Sequence, residues 1–273
     1  MDLATALKEL ERRGDAGIRK DLARHGVKGK TFGLSAANLN ALAKKIGKDH
    51  ALALELWKTG NHDARVLATR IADPVQINAA TVDRWAREAD NHVITEAVAE
   101  IAAKAAAIGA GVKVADAKRW SDSPDEWIST LGWNMLGLIS DMGKLAERDA
   151  MAALDRIERG IQTAKNRTRH AMNHALIRIG NGLGVLRERA LVAAEKIGKV
   201  EVDHGKTGGA TPDAADAIRK GKTGAASKAA GKPATKAGAA ARKEATKAGA
   251  SNGKGSTAKA AKPAARRKTA AAR

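Results

Sequence analysis

The sequence predicts an all-α fold, an α-solenoid of stacked helix pairs followed by a basic C-terminal tail, and three observations carry that expectation. Over about residues 1–200 apolar side chains return at helical spacing and no alternating segment occurs, so helices are expected rather than strands. Gly, Pro, Asp and Asn interrupt that pattern at short intervals, which divides it into many short helices rather than a few long ones. From Gly221 onward no Leu, Ile, Val or Phe occurs, so that segment has no apolar surface to set against the loss of chain entropy. With 273 residues the chain has room for one large domain or two modest ones, and for a core of ordinary size.

The elements follow in order. A charged amphipathic stretch, Met1 to Leu10, opens the chain and lacks the apolar segment of a secretory signal. Breaks at Gly14 and across Gly26 to Gly33 bracket a second helix, and Ser35 is a natural N-cap for the stripe Leu39, Leu42, Ala43 and Ile46. Leu52 and Leu56 lead to Trp57 and a stop at Gly60; the helix holding Leu67 stops at Asp73-Pro74. A helix with Trp85 ends at Asp90-Asn91, and its successor runs to Gly109 to Gly111. After Ser121 to Pro124, the residues Trp127, Leu131, Met135 and Leu138 form one stripe that ends at Asp141 to Gly143. Beyond Gly160 come Met172, Leu176 and Ile179, a break at Gly180 to Gly184, and then Leu186, Ala190, Ala193 and Ile197. About ten to twelve helices of roughly 9 to 17 residues result, and antiparallel pairs of roughly 35 to 40 residues build a solenoid of HEAT type. No residue pattern repeats cleanly, and an irregular helical bundle would show the same breaks. The expected organisation is a repeat domain over 1–205, a polar extension over 206–220 and a disordered basic tail over 221–273.

Charge is distributed unevenly. Lys and Arg number 49 against 30 acids, a net of +19, but residues 221–273 contribute +13 of it, with Glu244 their single acid. The remaining +6 equals the excess of the stretch 160–199, where Lys165, Arg167, Arg169, Arg178, Arg187, Arg189, Lys196 and Lys199 face only Glu188 and Glu195. A basic helical region joined to a basic tail points to a polyanion, and nucleic acid is the obvious one, since phosphate neutralisation releases counterions. The bland alternative for a helical Arg face is plain solvation. Lys262, Arg266, Arg267 and Lys268 are the expected phosphate contacts of the tail, whose composition resembles linker-histone tails and basic bacterial nucleoid proteins. The absence of Cys excludes disulfides, thiolate metal sites and Cys nucleophiles. No apolar run nears the roughly 20 residues of a membrane span, so a cytoplasmic, nucleoid-associated protein, monomeric and without membrane contact, is expected.

Other constellations are weak. Gly29-Lys30-Thr31 lacks the spacing and the preceding strand of a phosphate loop and reads as a basic turn. Asp203-His204 lacks further ligands at usable spacing, so no metal site is expected and a polar clasp is the better reading. No G-x-S-x-G elbow occurs. With no Tyr and one Phe, the five Trp are the large rings that need explaining. Trp57 reads as core, and Trp85 and Trp120 as structural caps beside Arg87 and Arg119. Trp127 and Trp133, six residues apart at about 100° each, lie about 120° apart, so both cannot face inward; Trp133, beside Asn134, is the candidate for exposure in a groove.

The segment Leu56-Trp57-Lys58-Thr59-Gly60 followed by Asp63-Ala64-Arg65 resembles the LW-x-TG turn and EAR-like triplet of the alkylpurine DNA glycosylases built of HEAT-like repeats. Gly33-Leu34-Ser35, Ile71-Ala72-Asp73-Pro74, Pro124-Asp125-Glu126-Trp127 and the closing run Lys199 to Gly205 add to the resemblance, which spans about residues 10 to 218. It implies that duplex DNA lies in a concave groove, and that cationic N3- or N7-alkylated purines are excised without the usual base extrusion. It also implies groove aromatics at the lesion, a carboxylate that stabilises oxocarbenium charge, and no metal or organic cofactor. Carried over, the carboxylate is Glu96, where an Asp is usual. His92 and His174 stand where groove aromatics are usual, and Thr130 stands where many members carry Arg. Arg167, Arg169, Arg178 and Arg187 are the expected phosphate contacts. A neutral His can stack and donate a hydrogen bond; a protonated one would repel a cationic lesion. The alternative reading is a DNA-binding scaffold of the same fold that has lost excision.

Overall fold

The computed structural model describes residues 1–205 and 209–221. Those residues form thirteen α-helices: α1 (Leu3–Arg12), α2 (Ala16–Arg24), α3 (Ala36–Ile46), α4 (His50–Lys58), α5 (His62–Ile71), α6 (Ala79–Glu88), α7 (His92–Ala107), α8 (Val114–Ser121), α9 (Glu126–Asp141), α10 (Glu147–Gly160), α11 (Asn166–Gly182), α12 (Arg187–Ile197) and α13 (Ala214–Lys220). No strand occurs among the described residues. Local chemistry explains the starts. The first seven helices open on Asp2, Asp15, Ser35, Asp49, Asn61, Asn78 and Asn91, each side chain accepting a first-turn N–H that the helix itself leaves unpaired.

The helices stack in two layers. α5, α7, α9 and α11 lie side by side in that order, and α4, α6, α8 and α10 each pack on the helix that follows them. α3 adds to the α5 end; α12 and α13 pack against α11 and each other. The expected breaks separate helices, except that α11 runs on through Gly180 to Gly182 before its break, and one more occurs after Ile46, separating α3 from α4. Two expectations need correction. The segment expected as a polar extension contains a helix: α13 buries Ala214, Ala215 and Ile218, because its amphipathic face has α11 and α12 to cover it. Trp133 is not exposed, at 2 % accessibility, whereas Trp127 is half-buried.

The buried Trp rings join successive helices. Trp57 and Trp85 stack at 4.3 Å, and the Trp57 indole N–H donates to Glu88 at 2.6 Å while Arg65 covers its ring at 5.1 Å. Trp120 donates to Asp83 at 2.5 Å beneath Arg119, and Arg156 covers Trp133 at 4.6 Å. Trp57 and Trp120 have their polar edges satisfied and their faces shielded, whereas the Trp85 indole N–H is buried without a partner beneath the stacked Trp57 ring. α9 approaches its neighbours closely on both sides. A Cβ on Gly132 would stand 2.7 Å from the Ala117 carbonyl oxygen of α8, and one on Gly137 would stand 3.2 Å from Cα of Ala175 on α11. Glycine lets these backbones meet and brings α7, α9 and α11 into one surface.

Candidate nucleic-acid interface

Three helical stripes meet on that surface. Spacings of four residues align His92, Glu96 and Glu100 on α7, Asn134 and Leu138 on α9, and His170, His174 and Arg178 on α11. All except His92 line one cleft of about 200 Å³. Sequence reasoning named Glu96, His174 and Arg178 but missed His170, Asn134 and Glu100, although the four-residue spacing was there to be read.

Electrostatics follow from the walls. Glu96 is open to solvent, yet the surrounding protein displaces enough water to lift its carboxyl above the ordinary range; Glu100 adds to that, and Arg167 and Arg178 oppose it. It makes no hydrogen bond within the described structure. Arg178 reaches over Gly137 to Asp141 at 2.9 Å, so its charge arrives at the cleft already paired. Burial lifts the Asp141 carboxyl in turn.

Six of the seven histidines gather along the same layer. His25 and His92 rings lie 5.8 Å apart, His170 and His174 4.4 Å, and His170 and His204 5.3 Å. Burial first, and then Arg167 and neighbouring histidines, hold His92 down to about 4; burial with His174 and His204 holds His170 down to about 3. His174 and His62 are also lowered, chiefly by burial. At neutral pH these rings are uncharged. His50 stands apart, next to Asp73.

The expected phosphate contacts divide. Arg167 lies near Glu96 and His92, its own backbone N–H donating to Glu126 at 2.6 Å. Arg169 turns away and donates to the carbonyls of Glu201 and Ala164, both at 2.9 Å. Arg187 is spent on the carbonyls of Ile218, Arg219 and Gly221, which end α13, and on Asn181. These two hold the C-terminal strap, a role better suited to a guanidinium fork with several backbone acceptors in reach than to a free phosphate contact. Trp133 is buried beneath Arg156 and offers no ring to the cleft. Thr130 is buried as well. Lys262, Arg266, Arg267 and Lys268 lie outside the described residues.

The basic turn at Lys30 has a structural purpose. Asp63 is fully buried and accepts from Thr31 Oγ1 at 2.7 Å and from the N–H groups of Phe32, Gly33 and Leu34. Arg65 donates to the carbonyl and carboxylate of Glu88. The Asp63-Ala64-Arg65 triplet is therefore architecture. The closing run is a clasp: Asn166 and Asp203 exchange two hydrogen bonds of 2.8 Å, and His204 meets Thr211 at 2.9 Å.

The sequence matches the DNA alkylation repair enzyme family over residues 6–196, a span that holds every helix lining the cleft. The chain belongs to that family. Among its relatives are uncharacterized proteins of Listeria innocua and Listeria monocytogenes, each 29 % identical over 198 residues that cover 70 % of this chain and 83 % of theirs. A solved structure resembles it with a TM-score of 0.71 at 28 % identity, covering 81 % of this chain and 93 % of its own. That protein is from a family described as related to the HEAT-like repeat DNA glycosylases with affinity for branched DNA structures. The expected fold, an α-solenoid of HEAT-like repeats, is the fold of this DNA alkylation repair family member. No helix among the described residues is long and apolar enough to cross a membrane.

Proposed function

We propose that the α5–α7–α9–α11 face binds double-stranded DNA, and that Glu96 assists hydrolysis of the N-glycosidic bond of N3- or N7-alkylated purines. The observation that carries this reading is the convergence, across α9, of Glu96 on α7 with Arg167 and Arg178 on α11. Arg167 suits a phosphate oxygen, Arg178 would reach one only by giving up Asp141, and the tail beyond Gly221 adds sequence-independent affinity. A carboxylate facing the sugar stabilises the positive charge that grows at C1′ as the bond to the base breaks. Water then supplies the oxygen to C1′ and releases a proton, while the bonding electron pair leaves with the base and neutralises its charge.

Release of 7-methylguanine from methylated duplex tests this. Glu96→Gln is expected to lower the rate by about 10² or more, with duplex affinity nearly unchanged. Release at background by both proteins would favour the second reading, a DNA-binding scaffold without excision. One observation supports that alternative: the cleft has imidazoles at His170 and His174 and no larger ring. Affinity for branched DNA in the solved relative suggests its ligand, and preferential binding of a four-way junction over linear duplex is its expected mark.

A further inference from the structure

The apolar side chains that the fold leaves uncovered are not scattered. Six large ones are exposed among the described residues, and four of them, Val75, Ile108, Met142 and Val185, follow the C-terminal ends of α5, α7, α9 and α11 in turn. Ile108 and Met142 hold the same place in their repeats, each closing a helix immediately before a left-handed glycine, Gly109 and Gly143. The four helices run parallel, so these ends share one edge of the layer. Asn91 at the start of α7 meets His62 at the start of α5 at 3.5 Å, Glu96 and Glu100 share a cleft with Asn134 and Leu138, and Glu126 at the start of α9 accepts from Arg167 at the start of α11. Along the edge itself the loops after α5 and α7 are joined, the Ala79 N–H donating to the Gly111 carbonyl at 3.0 Å. The opposite edge, where these helices begin, exposes Gly60, Asp90, Asp125 and Lys165 and no large apolar side chain.

The same edge carries cations without partners. Lys48, beside Asp73, Lys113, beyond Ile108, and Lys144, beyond Met142, are exposed and form no ion pair among the described residues. Lys104, one turn before Ile108, has only a loose contact of 4.0 Å with Glu100. The acids of these loops are matched: Asp73 accepts from the Val75 N–H and from Gln76, Asp116 from the Lys113 N–H and from Arg119, and Asp141 from Arg178. Glu147, which opens α10, is the acid left over. A second copy of this chain, or its own tail with +13 beyond Gly221, would bring further cations to these lysines and meet repulsion. A lipid surface is usually gripped by aromatic rings, and the edge has none: the chain lacks Tyr, and its five Trp lie on α4, α6, α8 and α9. Four side chains in single file also make a line rather than a plane.

A line of that kind has a period. Packed helices lie about 8–10 Å apart, so one apolar side chain per helix end recurs at about that distance. An α-helix laid across the ends advances about 10.5 Å in seven residues, close enough for one face to meet each end in turn. We propose that this edge docks an acidic amphipathic helix of a partner protein, its apolar residues at sevenfold spacing resting on Val75, Ile108, Met142 and Val185 and its carboxylates meeting Lys48, Lys104, Lys113 and Lys144. Apolar anchors on one helix face are the usual basis of such recognition, and the lysines add orientation and speed of encounter. The docked helix leaves Glu96, Arg167 and the cleft uncovered, so partner and DNA can occupy one molecule together.

The test uses the full chain and a labelled synthetic helix of about 22 residues, rich in Glu and Ala with Leu at every seventh position, long enough to cross four helix ends. Fluorescence anisotropy at physiological salt is expected to show saturable binding, at least about tenfold tighter than that of a peptide of the same composition with its leucines scrambled. Ile108→Asp with Met142→Asp should weaken binding by at least about tenfold while the thermal midpoint holds, because both positions are exposed. Lys104→Glu with Lys144→Glu should weaken it as well and lessen its dependence on salt. Val192→Asp, on α12 and also exposed but off the edge, should leave it unchanged. Equal binding of the two peptides, no saturable binding, or binding indifferent to Ile108→Asp with Met142→Asp overturns the proposal. Three other results overturn it by naming a different occupant. These are a dimer in sedimentation that Ile108→Asp abolishes, peptide binding that rises about tenfold when residues 222–273 are removed, and capture by phosphatidylserine vesicles that Ile108→Asp with Met142→Asp prevents.

Discussion

Two carboxylates on neighbouring helices show how differently one chemical group is used. Asp63 of α5 is fully buried and accepts from one hydroxyl and three backbone N–H groups of residues 31–34, so its charge is matched by donors and it fixes the loop leading into α3. Glu96 of α7 is open to solvent and has no donor on it. Structure depends on the first and not on the second. Asp63→Asn puts an amide N–H₂ where donors already point, and should lower stability by about 2–4 kcal/mol, read as a shifted urea midpoint. Glu96→Gln should move that midpoint by no more than about 0.5 kcal/mol, as is usual for an exposed position. Equal losses in the two variants would refute this division of labour.

Helices and their ends were written locally, which is why they could be read from the sequence. Ser35 caps α3 as its type and position suggest, and the breaks at Gly14, Gly60, Asp73-Pro74 and Asp90-Asn91 separate helices where the chain's own chemistry demands it. The faces of α9 were another matter. Trp127 and Trp133 differ by about 120° around one axis, and the helix alone cannot say which faces inward; Arg156 arriving from α10 decides it by covering Trp133. The candidate site was legible only in part for the same reason. Glu96 and Arg178 belong to separate helices, and their meeting depends on α9 packing closely against α11. The side chains of Arg169 and Arg187 were captured by backbone carbonyls that only the folded strap presents. Gly132 is the most sensitive point of this packing. Gly132→Ala gains helix propensity worth roughly 1 kcal/mol, but its methyl would collide with the backbone of Ala117 and Ser121, which has no rotamer to change. A net loss of about 1–3 kcal/mol is expected, visible as a lowered thermal midpoint. A rise in that midpoint would mean that α8 and α9 are not held in the close contact described.

Across the whole molecule the gathered histidines couple stability to pH. His62, His92, His170 and His174 all sit below their ordinary value near 6.5, His92 at about 4 and His170 at about 3, with burial the leading cause in each case. The unfolded chain therefore binds protons that the folded chain refuses as pH falls through 6.5, and stability must fall with it. Each depressed ring contributes up to about 1.4 kcal/mol per pH unit between its unfolded and folded values. Above about pH 7.5 all four are neutral in both states and the slope from them vanishes. Glu96 and Asp141 act in the opposite sense, since their raised values make the folded state the better proton acceptor, but only nearer the carboxylate range. The lowered carboxylates Asp2, Glu9, Asp73, Glu158 and Glu201 enter lower still. As pH falls from about 7.5 toward 5 the four histidines lower the urea midpoint, and the raised Glu96 and Asp141 carboxyls oppose them as they begin to take up protons. His92→Gln and His170→Gln together should flatten the drop. A midpoint constant across the interval would show that these four rings titrate freely in the folded protein, and the uncharged imidazoles of His170 and His174 in the cleft would be lost with it.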